Sequence, residues 1–164
     1  MKKVILSSSL ICMAVVMILF SDGCKKAEEL FPSMSAKIDG TEWSAITKVT
    51  TMQSAQFLIN GTSSSGEVIN VTVFGTSEGT YLLEFNTDTS ISVKTQFSGL
   101  YKPKGAVSDS SNYIAKEGTV VLSKVDTENK TVSGTFNFTA RKTSLTDTST
   151  VNITDGKFED LKYN

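Results

Sequence analysis

Residues 130–140 read Lys-Thr-Val-Ser-Gly-Thr-Phe-Asn-Phe-Thr-Ala, and this stretch decides the fold class. Val132, Gly134, Phe136, Phe138 and Ala140 fall on one side, and Thr131, Ser133, Thr135, Asn137 and Thr139 on the other. A period of two with one apolar and one polar face marks a strand of an antiparallel sheet that covers a core on one side and meets water on the other. Threonine, β-branched and polar, suits the wet face. Gly134 among large side chains predicts close packing or a bend.

The same pattern extends in both directions. Strands are expected at 35–38 and 42–46 around Asp39-Gly40, a two-residue hairpin signal. Strands at 55–60 and 67–74 flank a Gly/Ser loop at 61–66, and a strand at 80–85 follows Glu78-Gly79. Residues 91–97 alternate through Ile91, Val93, Thr95 and Phe97. Strands at 113–116 and 119–125 flank Glu117-Gly118, a turn at 126–129 leads back into the 130–140 strand, and 151–158 follows with Gly156 as a bulge. No stretch carries a 3.6-residue apolar period. About nine or ten short strands joined by short turns pair with their sequence neighbours. The expected fold is all-β: an antiparallel meander forming a two-sheet sandwich or a partly closed calycin-like barrel.

The amino end carries an address. Met1-Lys2-Lys3 precedes an apolar run over 4–20, and Ser21-Asp22-Gly23-Cys24 follows before the chain turns polar. A positive start, an apolar middle and a small-residue exit read as a signal peptide over 1–23. The run is short for a bilayer span, which needs about 20 apolar residues. Gly23 before Cys24 marks Cys24 as the lipid-attachment residue, and two or more acyl chains there would hold the protein stably to a membrane. Residues 24–33 read as a lipidated tether and 34–164 as a single β domain. Cys12 would leave with the signal, so no disulfide is expected and stability rests on the core.

Composition narrows the chemistry. The 164 residues hold 16 Lys+Arg against 17 Asp+Glu and no histidine. Near-neutral charge argues against a nucleic-acid partner. Without histidine, a Ser–His or Cys–His nucleophile is impossible and Cys/His zinc sites are excluded. The carboxylate groups Asp39/Glu42, Asp126/Glu128 and Asp155/Glu159/Asp160 fall mostly in turns, where backbone capping explains them. No catalysis, cofactor or metal is expected; the run at 126–129 lacks the EF-hand pattern. Trp43 would share a face with Ala45, which places it in the core. The longest irregular segment, 99–112, holds Tyr101, Lys102 and Lys104 and is the first candidate for a binding loop.

Two stretches resemble a known family. Ser35-Ala36-Lys37-Ile38-Asp39-Gly40-Thr41-Glu42-Trp43-Ser44-Ala45 is similar to the opening of small uncharacterised lipoproteins of Bacteroidetes. Residues 132–140 and 151–158 resemble the end of the same proteins. The run Lys26-Ala27-Glu28-Glu29 resembles the export signal of lipoproteins in that lineage. The resemblance implies a lipid-anchored protein of the outer membrane, on the cell surface or, alternatively, on the periplasmic face. It implies no catalytic or binding residues.

Two functions remain open at this point. One is a non-catalytic binding or structural module that meets a protein or glycan through loops at one end of the sheets. The other is a calycin-like carrier of a small apolar ligand. Core filling separates them: Phe136 and Phe138, with Phe74, Phe85 and Phe97, could fill the interior, whereas a lined cavity of roughly 300 Å³ or more favours the carrier.

Overall fold

The computed structural model describes residues 33–83, 99–144 and 146–164. The signal peptide, Cys24 and the tether up to residue 32 lie outside the described residues, as do Phe85, Phe97 and the strand expected at 91–97. No helix among the described residues is long and apolar enough to cross a membrane.

The described chain runs β1 (Ser33–Ile38), β2 (Thr41–Gln53), β3 (Gln56–Ser63), β4 (Val68–Val73), β5 (Gly79–Leu82), β6 (Gly99–Lys102), β7 (Tyr113–Asp126), β8 (Thr131–Lys142) and β9 (Thr150–Lys162). The sheet order is β5-β7-β6-β4-β3-β2-β1-β9-β8, and β8 also pairs with β7. That last pairing closes eight antiparallel strands into a calycin-like barrel, with β5 as an extra strand. Both β5 and β6 lie along β7: Leu82 stands opposite Thr119 and Leu100 opposite Ile114. The two short strands thus lie on the same edge of β7.

The expected hairpin at Asp39-Gly40 is present, with φ of 47° and 81°, the left-handed pair that a two-residue turn requires. The neighbouring hairpin departs from expectation. β2 extends to Gln53, and Ser54 and Ala55 make the turn at φ 53° and 61°, so Ala55 is a turn residue and not the start of a strand. A non-glycine side chain costs energy there. Ala55→Gly should therefore raise stability by about 1 kcal/mol, read as a higher urea midpoint at unchanged slope.

Three further expectations are corrected. Glu117-Gly118 is no turn, because β7 runs unbroken through it with a bulge between Ala115 and Glu117. A Cβ on Gly118 would strike the Asn137 carbonyl oxygen, so glycine serves close approach there. Gly61 lies within β3, where Met34 Sδ and the Trp43 ring fill the space a side chain would need. Residues 99–102, read as irregular, form β6. The bulge expected at Gly156 is present: the pairing of β9 with β1 shifts across Asp155-Gly156, and Asp155 takes φ 51°.

The inward face of the strands makes the core. Phe57, Ile59, Ile69, Val71, Val73, Leu122, Val132, Ile153 and Phe158 are buried. Phe136 stacks on Phe138 at 6.4 Å and on Phe158 at 6.3 Å. Trp43 is buried in this core, as expected, at 4% exposure. Phe74 is not part of it: Val73 takes the inward position and Phe74 is 38% exposed. Gly134 is the close-packing point that the sequence suggested, with the Phe158 ring lying where its side chain would be.

The barrel has two unlike ends. At the first, here the A end, lie the turns at 54–55, 74–78 and 127–130 and the carboxyl terminus. At the second, the B end, lie the connections at 39–40, 64–67, 103–112 and 143–149.

Candidate functional site

The two longest described connections, 103–112 and 143–149, meet at the B end. Thr143 ties them: its N–H donates to the Asn112 carbonyl at 2.9 Å, and its hydroxyl donates to the carbonyls of Asn112 and Asp109. The base of the second connection is clasped by Lys142 N–H donating to the Ser149 carbonyl at 2.9 Å and by a Lys142–Asp147 ion pair. Tyr113 OH lies 3.3 Å from Ser149 Oγ, and Lys142 Nζ sits 6.0 Å from the Tyr113 ring centre. Asn112 Oδ1 is buried and without a partner, an acceptor set into the junction of the two loops.

The clasp has a pH signature. Lys142 holds the Asp147 carboxyl down at about 2, first through their hydrogen bond and then with help from the Ser149 backbone. A depressed carboxylate contributes fully above its ordinary value and loses that contribution as pH falls through the folded-state value. The clasp should therefore persist down to the ordinary value of 3.8 and open as pH falls toward about 2. Protection of the Lys142 and Thr143 amides in hydrogen exchange measures it.

The candidate loop from the sequence reaches this surface only in part. Tyr101 turns inward on β6, and its hydroxyl donates to Glu67 Oε1 at 3.1 Å. Burial, reinforced by that carboxylate, pushes its phenol well above the usual range. Glu67 Oε2 also accepts from Ser65 Oγ at 2.7 Å, which stiffens the neighbouring 64–67 turn. Lys104 remains exposed on the 103–112 loop. The 143–149 loop was not singled out in the sequence; the turn-forming Asp147-Thr148-Ser149 was its available signal.

The carboxylate groups are occupied by structure. Asp39 Oδ1 accepts the Asn152 N–H at 2.8 Å. Asp126 Oδ1 accepts the Glu128 and Asn129 amides at 3.1 and 2.8 Å, the turn cap expected of it. Asp155 pairs with Lys37 at 2.9 Å. Asp160 accepts from Ser133 Oγ at 3.4 Å, and Glu159 pairs with Lys157 at 2.6 Å. Among the described residues, no group of three or more metal-ligating side chains gathers in one place.

At the A end a groove of about 450 Å³ opens between Met52, Ala55, Val125, Lys130 and Tyr163. It lies at the mouth of the barrel, where the Tyr163 ring meets that of buried Phe57 at 5.0 Å. A shallow dent of about 140 Å³ on the outer wall, between Glu117, Asn137 and Asn152, follows from the bulges in β7 and β9.

Comparison with curated proteins and with solved structures finds no match. The model of a family described as "Domain of unknown function (DUF6252)" matches residues 31–162, which takes in every strand of the barrel from β1 to β9. The chain belongs to that family of domains of unknown function.

Proposed function

We propose that this protein is a lipid-anchored module of the bacterial outer membrane, held through Cys24, that binds a protein or glycan partner at its B end without catalysis. The observation that carries the reading is the laced pair of loops at 103–112 and 143–149, opposite the end from which β1 begins. Loops fixed before binding lose less freedom on contact, which raises affinity for a given contact area. A cell-surface address follows from the Lys26-Ala27-Glu28-Glu29 run, with the periplasmic face as the alternative.

Photo-reactive side chains placed at Ser110 and Thr148 in native cells test the reading. A discrete adduct is expected from both positions and none from Thr127 at the A end. Absence of adducts at the B end, or equal adducts at both ends, would count against it. Protease or glycosidase sensitivity of the adduct tells a protein from a glycan.

The carrier reading has one observation in its favour: the A-end groove falls within the roughly 300–1,000 Å³ of small-ligand sites. It moves the ligand from the barrel interior to its mouth. Enhanced emission of an apolar fluorescent probe, abolished by Met52→Asp, would support it.

A further inference from the structure

The inner face of the barrel reaches the A rim without a cover. Met52 stands level with Phe57 and Val125 with Val132, and both partners are fully buried. Cross-strand partners point to the same side of a sheet, so Met52 and Val125 face inward. Tyr163 joins them, its ring 5.0 Å from that of Phe57. Met52 is nevertheless 43% exposed. The last apolar row of the interior therefore lies open to water, and it walls the A-end groove of about 450 Å³.

Lys130 stands on the rim of this groove. Tyr163 N–H donates to its carbonyl at 3.0 Å, which fixes the lysine beside the Tyr163 wall. Its backbone takes φ 53°, in the left-handed region where glycine is less strained. The turn thus holds a long cationic side chain where backbone preference asks for none. Among the described residues, no carboxylate lines the groove or pairs with Lys130. Carboxylates of the same rim are engaged elsewhere: Glu78 accepts the Val125 N–H at 3.3 Å, and Asp126 caps its own turn. Glu128 lies outside the lining. Lys124, also at this end, lies 4.0 Å from Asp126 and 3.8 Å from Asp160; Lys130 has no such counter-charge.

We propose that the A-end groove binds an alkyl carboxylate, with its chain laid along Met52, Val125 and the Tyr163 ring and its head group met by Lys130. Charge complementarity selects the occupant: an apolar wall with one cation at its rim fits a chain with one anionic end. A phosphate monoester carries about −1.5 to −2 at pH 7 and would leave part of its charge unmatched. Thr76 and Thr127 in the same lining add hydroxyl donors for the carboxylate. The alkyl chain gains by leaving water against the open row. The inference deepens the carrier reading of this groove by naming the ligand class, and it is independent of the partner proposed at the B end.

The chain from residue 25 onward, which holds every strand of the barrel, is titrated with decanoate, 1-decanol and monodecyl phosphate and followed by its amide chemical shifts. Decanoate should shift the amides of Met52, Val125 and Tyr163, leave that of Thr143 at the B end unmoved, and bind more tightly than either of the others. Lys130→Gly relieves the left-handed backbone and so keeps the fold; it should weaken decanoate about fivefold and leave decanol unchanged. Lys130→Arg, which keeps the charge, should keep the affinity. Equal affinity for decanoate and decanol, or no effect of Lys130→Gly on decanoate, would overturn the inference and leave the carrier reading standing. Tighter binding of decyl phosphate would overturn the carboxylate assignment. Binding of none of the three would overturn the inference and the carrier reading together.

Discussion

Phe136→Ala is expected to cost about 3–5 kcal/mol and bring the barrel to the edge of unfolding. Phe136 is 1% exposed and lies between the rings of Phe138 and Phe158, inclined to them by only 28° and 25°. Gly156 on the neighbouring strand has no side chain, and a Cβ there would press on the Phe136 ring. The site is thus closed from three directions, and the surrounding strands are hydrogen-bonded on both edges, so the void left by truncation cannot collapse easily. The described residues contain no cysteine, so no disulfide offsets the loss. Urea unfolding of the folded domain measures it. Phe136→Leu, which keeps most of the volume, should cost clearly less. A loss below about 1 kcal/mol for Phe136→Ala would mean that the interior is not packed as described.

Cys24→Ala, placed behind a leader that is cleaved without lipidation, should move essentially all of the protein from the membrane fraction to the soluble fraction. The proposed anchor carries at least two acyl chains, each stabilised by about 0.8 kcal/mol per buried CH₂. The barrel itself should be unaffected, because its chain begins at Ser33. An unchanged melting temperature with complete release is therefore the expected pair of results. Retention of the variant in the membrane fraction would point to a different attachment.

Particular residues show how far the sequence could be read. The 130–140 alternation placed β8 correctly because each side chain there reports its own face. Asp39-Gly40 announced its hairpin because aspartate and glycine tolerate positive φ. Ser54-Ala55 makes the same kind of turn with residues that carry no such signal, so β2 was read too short. Gly118 misled in the opposite sense. A glycine before a β-branched run looks like a turn, but here it lets two strands approach within a bulge. β7 and β8 form a local hairpin, but closure of the barrel depends on Ser33 meeting Glu159, 126 residues further along the chain. A pairing so distant leaves no local trace, which is why the sequence left both sandwich and barrel open.

The candidate site was half legible for a similar reason. Length and polarity marked 99–112 as a loop, yet Leu100 and Tyr101 pair with Ile114 and Tyr113 and draw that loop's first residues into the wall. The partner loop at 143–149 became visible only through Thr143, whose bonds reach more than 30 residues back along the chain. The carboxylates, by contrast, behaved as turn chemistry predicted at Asp126.

Mass spectrometry of the amino-terminal peptide from native membranes bears most directly on how this barrel is held and displayed. Cys24 should be the first residue and carry fatty acids on its sulfur. A peptide that retains residues upstream of Cys24, or one that begins there with a free thiol, would contradict the account.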